Sequence, residues 1–337
     1  MAIVIQAANI HRGGGKALLC GLLDSLAGEE TTVFVDTRFN YECERSDLKI
    51  VWVKPSLYSR LRVELSIEKS LQPDDILICF GNLPPLIANH PKTVLFLQNR
   101  YLVGKRRLIL FKFPNNLRIT LERMWFKHRL SNVSDVIVQT RTVADALFRY
   151  TGRSAIICPF LPLDESPKAN QHVPVYDFVY VASGEPHKNH KNLIEAWRIL
   201  SLDSINPSLV LTLEEGSDGQ LWEELLEVIE KFGLSITNRS NQANVDELYQ
   251  SSRALIYPST FESLGLPLLE AQNHKLPILA SELDFVRDSV SPDESFDPAS
   301  PISIARAVRR FLKCEETPPA ISSPREFVEV VRDIYTQ

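Results

Sequence analysis

Short apolar runs recur through the first half of the chain, at 3–6, 32–35, 50–53, 76–79, 94–98, 136–139 and 155–158. Between them the apolar positions fall at helical spacing, as with Ala17, Leu18, Leu19, Leu22 and Leu23. Runs this short, bounded by turn residues, suit strands buried on both faces, and their alternation with helices predicts a parallel, doubly wound sheet. After Gln171 a second series begins. It predicts strands at 178–181, 209–213, 235–237, 254–257 and 277–280, and helices at 192–200, 220–232, 245–251, 268–273 and 302–312. The proline-rich, aperiodic segment Pro159-Phe160-Leu161-Pro162-Leu163-Asp164-Glu165-Ser166-Pro167 separates the two series. A first α/β domain is therefore expected over 1–166 and a second over 167–320, with 321–337 as a further helix.

The length of 337 residues fits this division, being too large for one typical core. With 44% hydrophobic and 23% charged residues the chain reads as soluble and globular, and no apolar run approaches the length of a membrane span. The opening residues 1–6 carry no basic leader and read as a first strand, so a cytoplasmic location is expected. Five scattered cysteines, none in a C-x-x-C pair, support neither a disulfide framework nor a zinc site.

Charge divides unevenly. Residues 1–165 carry 22 Lys+Arg against 16 Asp+Glu, and residues 166–337 carry 15 against 26, giving +6 and −11. Much of the positive excess lies in Arg100, Lys105, Arg106, Arg107, Lys112, Arg118, Arg123, Lys127 and Arg129, which face one acid, Glu122. Tyr101, Leu102, Val103, Leu108, Ile109, Leu110, Phe111, Phe113, Trp125 and Phe126 are interleaved with them. Such a composition suits contact with an anionic inner-membrane surface, and equally suits a core with a solvated charged face. An acidic chain without a reader motif argues against nucleic acid.

The densest chemistry lies at Phe261-Glu262-Ser263-Leu264-Gly265-Leu266-Pro267-Leu268-Leu269-Glu270-Ala271, behind the apolar run Ala254-Leu255-Ile256-Tyr257. Strand, loop and helix are expected in that order, with Pro267 opening the helix and Ser263, Leu264, Gly265 and Leu266 forming its entry. Unpaired amides at a helix N-terminus suit a diphosphate, and Gly265 lets the backbone approach it closely. Glu262 and Glu270, separated by seven residues, can both face the crevice at the carboxyl end of a parallel sheet.

This pair, with Tyr257-Pro258-Ser259 before it, resembles the signature of the retaining glycosyltransferases of family 4. That resemblance implies the GT-B fold, two Rossmann-like domains facing a cleft. It implies Glu262 on the hydroxyls of the donor sugar, Glu270 on ribose, and Lys188 of Pro186-His187-Lys188-Asn189 beside the phosphates. Where the family commonly carries an arginine with that lysine, this chain has Ser183. Asn238, Arg239 and Ser240 resemble the base-binding loop, without its usual glycine. Gly13, Gly14 and Gly15 are expected in a loop over the donor phosphates; Lys16 is followed by Ala17, so no Walker loop is formed, and Leu18 breaks the dinucleotide fingerprint. Gln98 and Asn99 stand on the acceptor side, where many relatives place a histidine. His187 and His190 receive no role.

The implied reaction moves a hexose or N-acetylhexosamine from a UDP- or GDP-sugar to a hydroxyl of a lipid-linked glycan, with retention and with neither metal nor cofactor. O-antigen, capsule or another cell-surface polysaccharide would be the product, made at the inner face of the cytoplasmic membrane. The competing reading is a non-catalytic GT-B protein that binds nucleotide sugar or serves in assembly. An epimerase or phosphorylase on the same architecture is a third.

Overall fold

The computed structural model describes residues 2–11, 13–41, 45–87, 90–103, 115–161, 174–214, 216–239 and 244–314. The first seven strands are β1 (Ile3–Ala7), β2 (Thr31–Asp36), β3 (Leu48–Val53), β4 (Ile76–Cys79), β5 (Thr93–Leu97), β6 (Asp135–Val138) and β7 (Ile156–Ile157). They form one parallel sheet in the order β3-β2-β1-β4-β5-β6-β7. Alternation along each strand divides their side chains between two layers. Val4, Phe34, Leu77 and Leu95 join one cluster, and Ile5, Val33, Val35 and Phe96 the other. Helices α1 (Gly13–Ser25), α2 (Leu57–Ser70), α3 (Asn115–Arg129) and α4 (Arg141–Thr151) complete the described part of this domain.

The second sheet repeats the plan. Strands β8 (Tyr176–Tyr180), β9 (Leu209–Leu211), β10 (Ile236–Asn238), β11 (Ser252–Tyr257), β12 (Ile278–Ser281) and β13 (Glu294–Phe296) run parallel in the order β10-β9-β8-β11-β12-β13. Helices α5 (His190–Leu202), α6 (Gly219–Phe232), α7 (Val245–Gln250), α8 (Leu266–Asn273), α9 (Asp284–Arg287) and α10 (Pro301–Leu312) flank it. In both sheets the order reverses beside the first strand, and the loops leaving the carboxyl ends there face a crevice. Each expected strand is present. Additional short elements, β13 and α9, carry too few apolar residues to show as periodicity. The expected domain boundary at 166 and the expected helix at 321–337 lie outside the described residues.

Gly13, Gly14 and Gly15, expected in a loop, instead form the first turn of α1. Gly13 has φ 63, a conformation that glycine enters without strain, and the absence of side chains lets the second domain come close. A Cβ at Gly14 would lie 2.6 Å from Leu266 Cδ1 of that domain.

The second core is organised around Trp197 of α5, which is 1% exposed, meets Phe178 edge-on at 5.5 Å, and donates its indole N–H to the Pro207 carbonyl at 2.8 Å. Trp197→Ala should cost this domain about 3–5 kcal/mol, as large-to-small changes in packed cores do. Trp52→Ala, at a side chain 48% exposed on β3, should cost well under that. Thermal unfolding of the two variants measures the difference, and equal shifts would contradict this placement of the core.

Candidate active site

The site is set by the neighbouring strands β8 and β11. Beyond β8 the chain makes a 3-10 turn at Pro186–Lys188, passes through Asn189 at φ 65 and enters α5. Beyond β11 it runs through Ser259, Thr260, Phe261 and Glu262 to Gly265, which caps α8 at φ 79. The two loops are joined by backbone and side-chain hydrogen bonds. The Thr260 amide donates to the His187 carbonyl at 2.8 Å, and Asn189 Nδ2 donates to the Pro258 carbonyl at 3.1 Å. Tyr180, buried in β8, donates its hydroxyl to the Lys188 carbonyl at 2.7 Å.

This joining brings Lys188 Nζ to 2.7 Å from Glu262 Oε1, across 74 positions of sequence. The side chains are 14% and 13% exposed, so the charges meet largely out of water. Burial alone would push the Glu262 carboxyl up; Lys188, His187 and the Ser259 hydroxyl outweigh it and hold the group below the ordinary glutamate range. His187 Nε2 lies 3.8 Å from the same oxygen. Glu262 is thus a charged acceptor at neutral pH.

Helix α8 begins one residue before Pro267. Its cap, Gly265, needs glycine twice over, for its positive φ and because a Cβ would come within 2.9 Å of Leu268 Cδ1. The amides of Ser263, Leu264, Gly265 and Leu266 make no hydrogen bond to an acceptor among the described residues. One turn on, Glu270 accepts a hydrogen bond from the Tyr249 hydroxyl at 2.7 Å. Burial raises its carboxyl above the ordinary range against that hydrogen bond, and Asp246 adds to the rise.

The domains meet over these loops. The Arg100 amide donates to Ser263 Oγ at 3.1 Å, Thr140 Oγ1 donates to the Ser263 carbonyl at 2.9 Å, and the Thr142 amide donates to Asp288 Oδ2 at 2.6 Å. The Arg100 guanidinium stands 4.5 Å above the Phe261 ring, with Nη1 3.3 Å from the Glu262 carbonyl oxygen, and Tyr101 packs on Phe261 at 4.5 Å. Between them lies a cavity of about 330 Å³. A second cavity of about 510 Å³, in the first domain, adjoins it through Ile10, Asn82 and Asn99 and reaches Arg38, Ser56, Arg118, Leu121 and Trp125.

Of the residues singled out in the sequence, Gly14, Gly15, Gln98, Asn99, Glu262, Ser263, Leu264 and Leu266 line the first cavity. Gln98 is held there by donating Nε2 to the Phe80 carbonyl, and Asn99 caps the turn that carries Arg100 and Tyr101. Gly13, Lys188, Gly265 and Glu270 stand off its wall. Asn238 and Arg239 are placed elsewhere. The Asn238 amide is used up on the backbone N–H and carbonyl of Leu213, and Arg239 reaches the Tyr176 hydroxyl; Ser240 lies outside the described residues. Ser183 donates its hydroxyl to Glu185. Burial pushes the Glu185 carboxyl up, but Ser183 and Lys188 bring it below its ordinary range, so an anion stands near the expected arginine position.

Asn82, His187, Arg100 and Tyr101 also line the cavity; in the sequence Asn82 and His187 carry no expected role, and Arg100 and Tyr101 fall in the basic stretch expected at a membrane surface rather than in the cleft. Asn82 adopts φ 68 and accepts the amides of Gln98 and Asn99, both at 2.6 Å. An Asn beside Gly81 is a local cue for such a backbone; the reach of Arg100 across the cleft has no local cue. Among the described residues no group of three or more His, Cys, Asp or Glu is placed to hold a metal ion.

Two parallel-sheet Rossmann-like domains closing on such a cleft define the GT-B fold. Residues 164–324 match the family described as Glycosyl transferases group 1. The chain is 31% identical over 144 residues to the serotype-specific mannosyltransferase WbdA of Escherichia coli, which covers 41% of this chain and 17% of the relative. It is 22% identical over 258 residues to the O-antigen chain mannosyltransferase RfbU of Salmonella typhimurium, covering 75% and 71%. The chain spans 17–28% of the length of the first curated relatives it matches. Among solved structures it superposes on Anabaena Alr3699/HepE in complex with UDP-glucose with a TM-score of 0.68 at 15% identity, covering 93% of this chain and 90% of that one.

Removing the lysine of the buried pair should strand a carboxylate. Lys188→Met is expected to lose about 3–5 kcal/mol at pH 8, the usual consequence of breaking a buried ion pair on one side. Because the folded carboxyl sits low in the native protein, its contribution is present above the unfolded glutamate pKa and fades as pH falls through the folded value. In the variant burial is opposed only by His187 and the Ser259 hydroxyl and the carboxyl rises, so the deficit should narrow toward about pH 4. Denaturant melts at both pH values test this, and a deficit that does not change with pH would contradict the pairing.

Proposed function

We propose that the chain is a retaining, metal-independent glycosyltransferase that moves one sugar from a nucleoside-diphosphate donor, UDP- or GDP-linked, to a hydroxyl of a lipid-linked glycan. The observation that carries the reading is the buried Lys188–Glu262 pair at the entry of α8, beside four uncommitted amides and on a cleft shared by both domains. The names of the matched relatives favour a mannosyl donor among the hexoses and O-antigen synthesis as the setting. The neighbour solved with UDP-glucose supports a nucleotide sugar in the cleft.

In this reading the diphosphate lies over the amides of residues 263–266, Glu270 takes ribose hydroxyls in place of Tyr249, and Glu262 orients the donor sugar. The acceptor hydroxyl enters from the first-domain cavity. Its oxygen bonds to the anomeric carbon as the bond to phosphate breaks, and its proton passes to the departing diphosphate on the same face of the sugar. Preorganised donors then stabilise charge that develops on the leaving group. A retaining enzyme of this kind needs no separate base, which fits Gln98 and Asn99 in the histidine position.

Contact with the inner face of the membrane belongs to the same proposal. Part of the basic stretch is core, since Leu102, Val103 and Phe126 are buried, and residues 104–114 lie outside the described residues. Helix α3 nevertheless exposes Leu117, Leu121 and Met124 at 50–56%, flanked by Arg118, Lys127 and Arg129. Leu121 also lines the first-domain cavity, so a lipid-linked acceptor can run from that stripe into the cleft. Among the described residues no helix is long and apolar enough to cross a membrane.

Thermal-shift titration with UDP, GDP, ADP and CMP tests the donor half of the proposal, since a ligand that binds only the folded protein raises its melting temperature. One nucleoside diphosphate should stabilise the wild type, and Glu270→Ala should lose most of that shift. No shift with any of the four would remove the nucleotide-sugar reading; a shift without transfer to any glycan acceptor would leave the binding-protein reading in its place.

A further inference from the structure

Among the described residues, the phosphate end of the cleft is short of positive charge. Ser183 stands where an arginine is expected, and its hydroxyl is turned to Glu185, itself an anion. Lys188 is committed to Glu262 at 2.7 Å and is not on the cavity wall. A dianionic leaving group entering here meets Glu262 and Glu185 against one paired lysine, which would disfavour it. The cavity nonetheless contains an arginine. Among the described residues on its wall, Arg100 is the one permanently charged cation.

Arg100 comes from the other domain, in the 3-10 turn (Arg100–Leu102) directly after β5. Its main chain is fixed to the second domain by the amide hydrogen bond to Ser263 Oγ, and its guanidinium by the Phe261 ring and the Glu262 carbonyl oxygen. That places a planar five-donor group beside the Ser263 and Leu264 amides, on the cavity shared with Gly14 and Gly15. Guanidinium is suited to phosphate because its parallel N–H groups match two oxygens at once.

We propose that Arg100 supplies the second cation for the donor diphosphate, replacing across the cleft the arginine that Ser183 lacks. The inference rests on the nucleotide-sugar reading of the site. It has a consequence for order of events. The charge that stabilises the leaving group is complete only when the first domain is seated on Ser263 and Phe261, so an open cleft binds nucleotide without full phosphate neutralisation. Donor cleavage is thereby tied to closure.

The test compares UDP with UMP and GDP with GMP on wild type, Arg100→Met, Arg100→Met/Ser183→Arg and Glu270→Ala, with melting curves of each variant as a check of folding. Arg100→Met should weaken the diphosphate about 10-fold or more and the monophosphate much less, because a single charge-assisted phosphate contact of 1.5–3 kcal/mol is roughly that factor. Adding Ser183→Arg should restore a large part of the preference for diphosphate. Glu270→Ala should weaken both nucleotides alike. Equal loss of mono- and diphosphate in Arg100→Met would make Arg100 a clamp between domains and overturn the proposal, as would an unchanged diphosphate affinity. A wild type that binds neither nucleotide of either pair, with Glu270→Ala no different, would instead bring down the nucleotide-sugar reading, and this inference with it.

Discussion

The Lys188–Glu262 ion pair is the constraint around which the second domain's cleft is arranged. A glutamate buried to this degree stays charged only if a cation and hydrogen bonds meet it, and the supply comes from a loop 74 positions away in sequence. Parallel pairing of β8 with β11 makes that loop a neighbour. The supports around it follow from the same need. Tyr180 fixes the Lys188 carbonyl, Thr260 and Asn189 lock the two loops together, and Gly265 turns the chain into α8 without a side chain in the way. Lys188 is then better understood as the group that keeps Glu262 ionised and in place than as a free phosphate ligand.

Closure adds a second layer of dependence. Ser263 is held by the first domain through its hydroxyl and its carbonyl while its amide is left for a ligand, so the loop that would grip the donor is the loop on which the domains meet. Gly14 lets α1 come against Leu266 at the start of α8, and Arg100 brings its charge to the same place. The first domain thus completes the wall of the shared cavity and brings a cation to it.

Much of the fold was legible because strands of a doubly wound sheet are buried on both faces and show as continuous apolar runs, which is why β4, β5, β6, β11 and β12 coincide with expectation within a residue or two. The edge strand β13, Glu-Ser-Phe, has no such run. The strand, loop and helix order that carries Glu262, Gly265 and Glu270 was legible because the signals of a helix N-terminus are local. The glycines at 13–15 were misplaced into a loop because three glycines carry little helix propensity, yet a first turn forms where tertiary packing rewards the absence of Cβ. The side chain of Asn238, at the end of β10, pairs with the backbone of the adjacent segment at Leu213, a contact that only the sheet creates. The places of Arg100 and His187 on the cleft could not be read in advance, since each acquires its place through contacts that only the tertiary fold creates.

The central claim is that the backbone amides at the entry of α8 bind the donor's diphosphate. Hydrogen–deuterium exchange over the peptide containing residues 261–269, with and without saturating UDP or GDP, addresses it most directly. The account predicts slowed exchange of the Ser263, Leu264, Gly265 and Leu266 amides by the nucleotide that binds, with Trp197 and the core of the second domain unaffected. Nucleotide binding that leaves those amides exchanging at their free rate would contradict it.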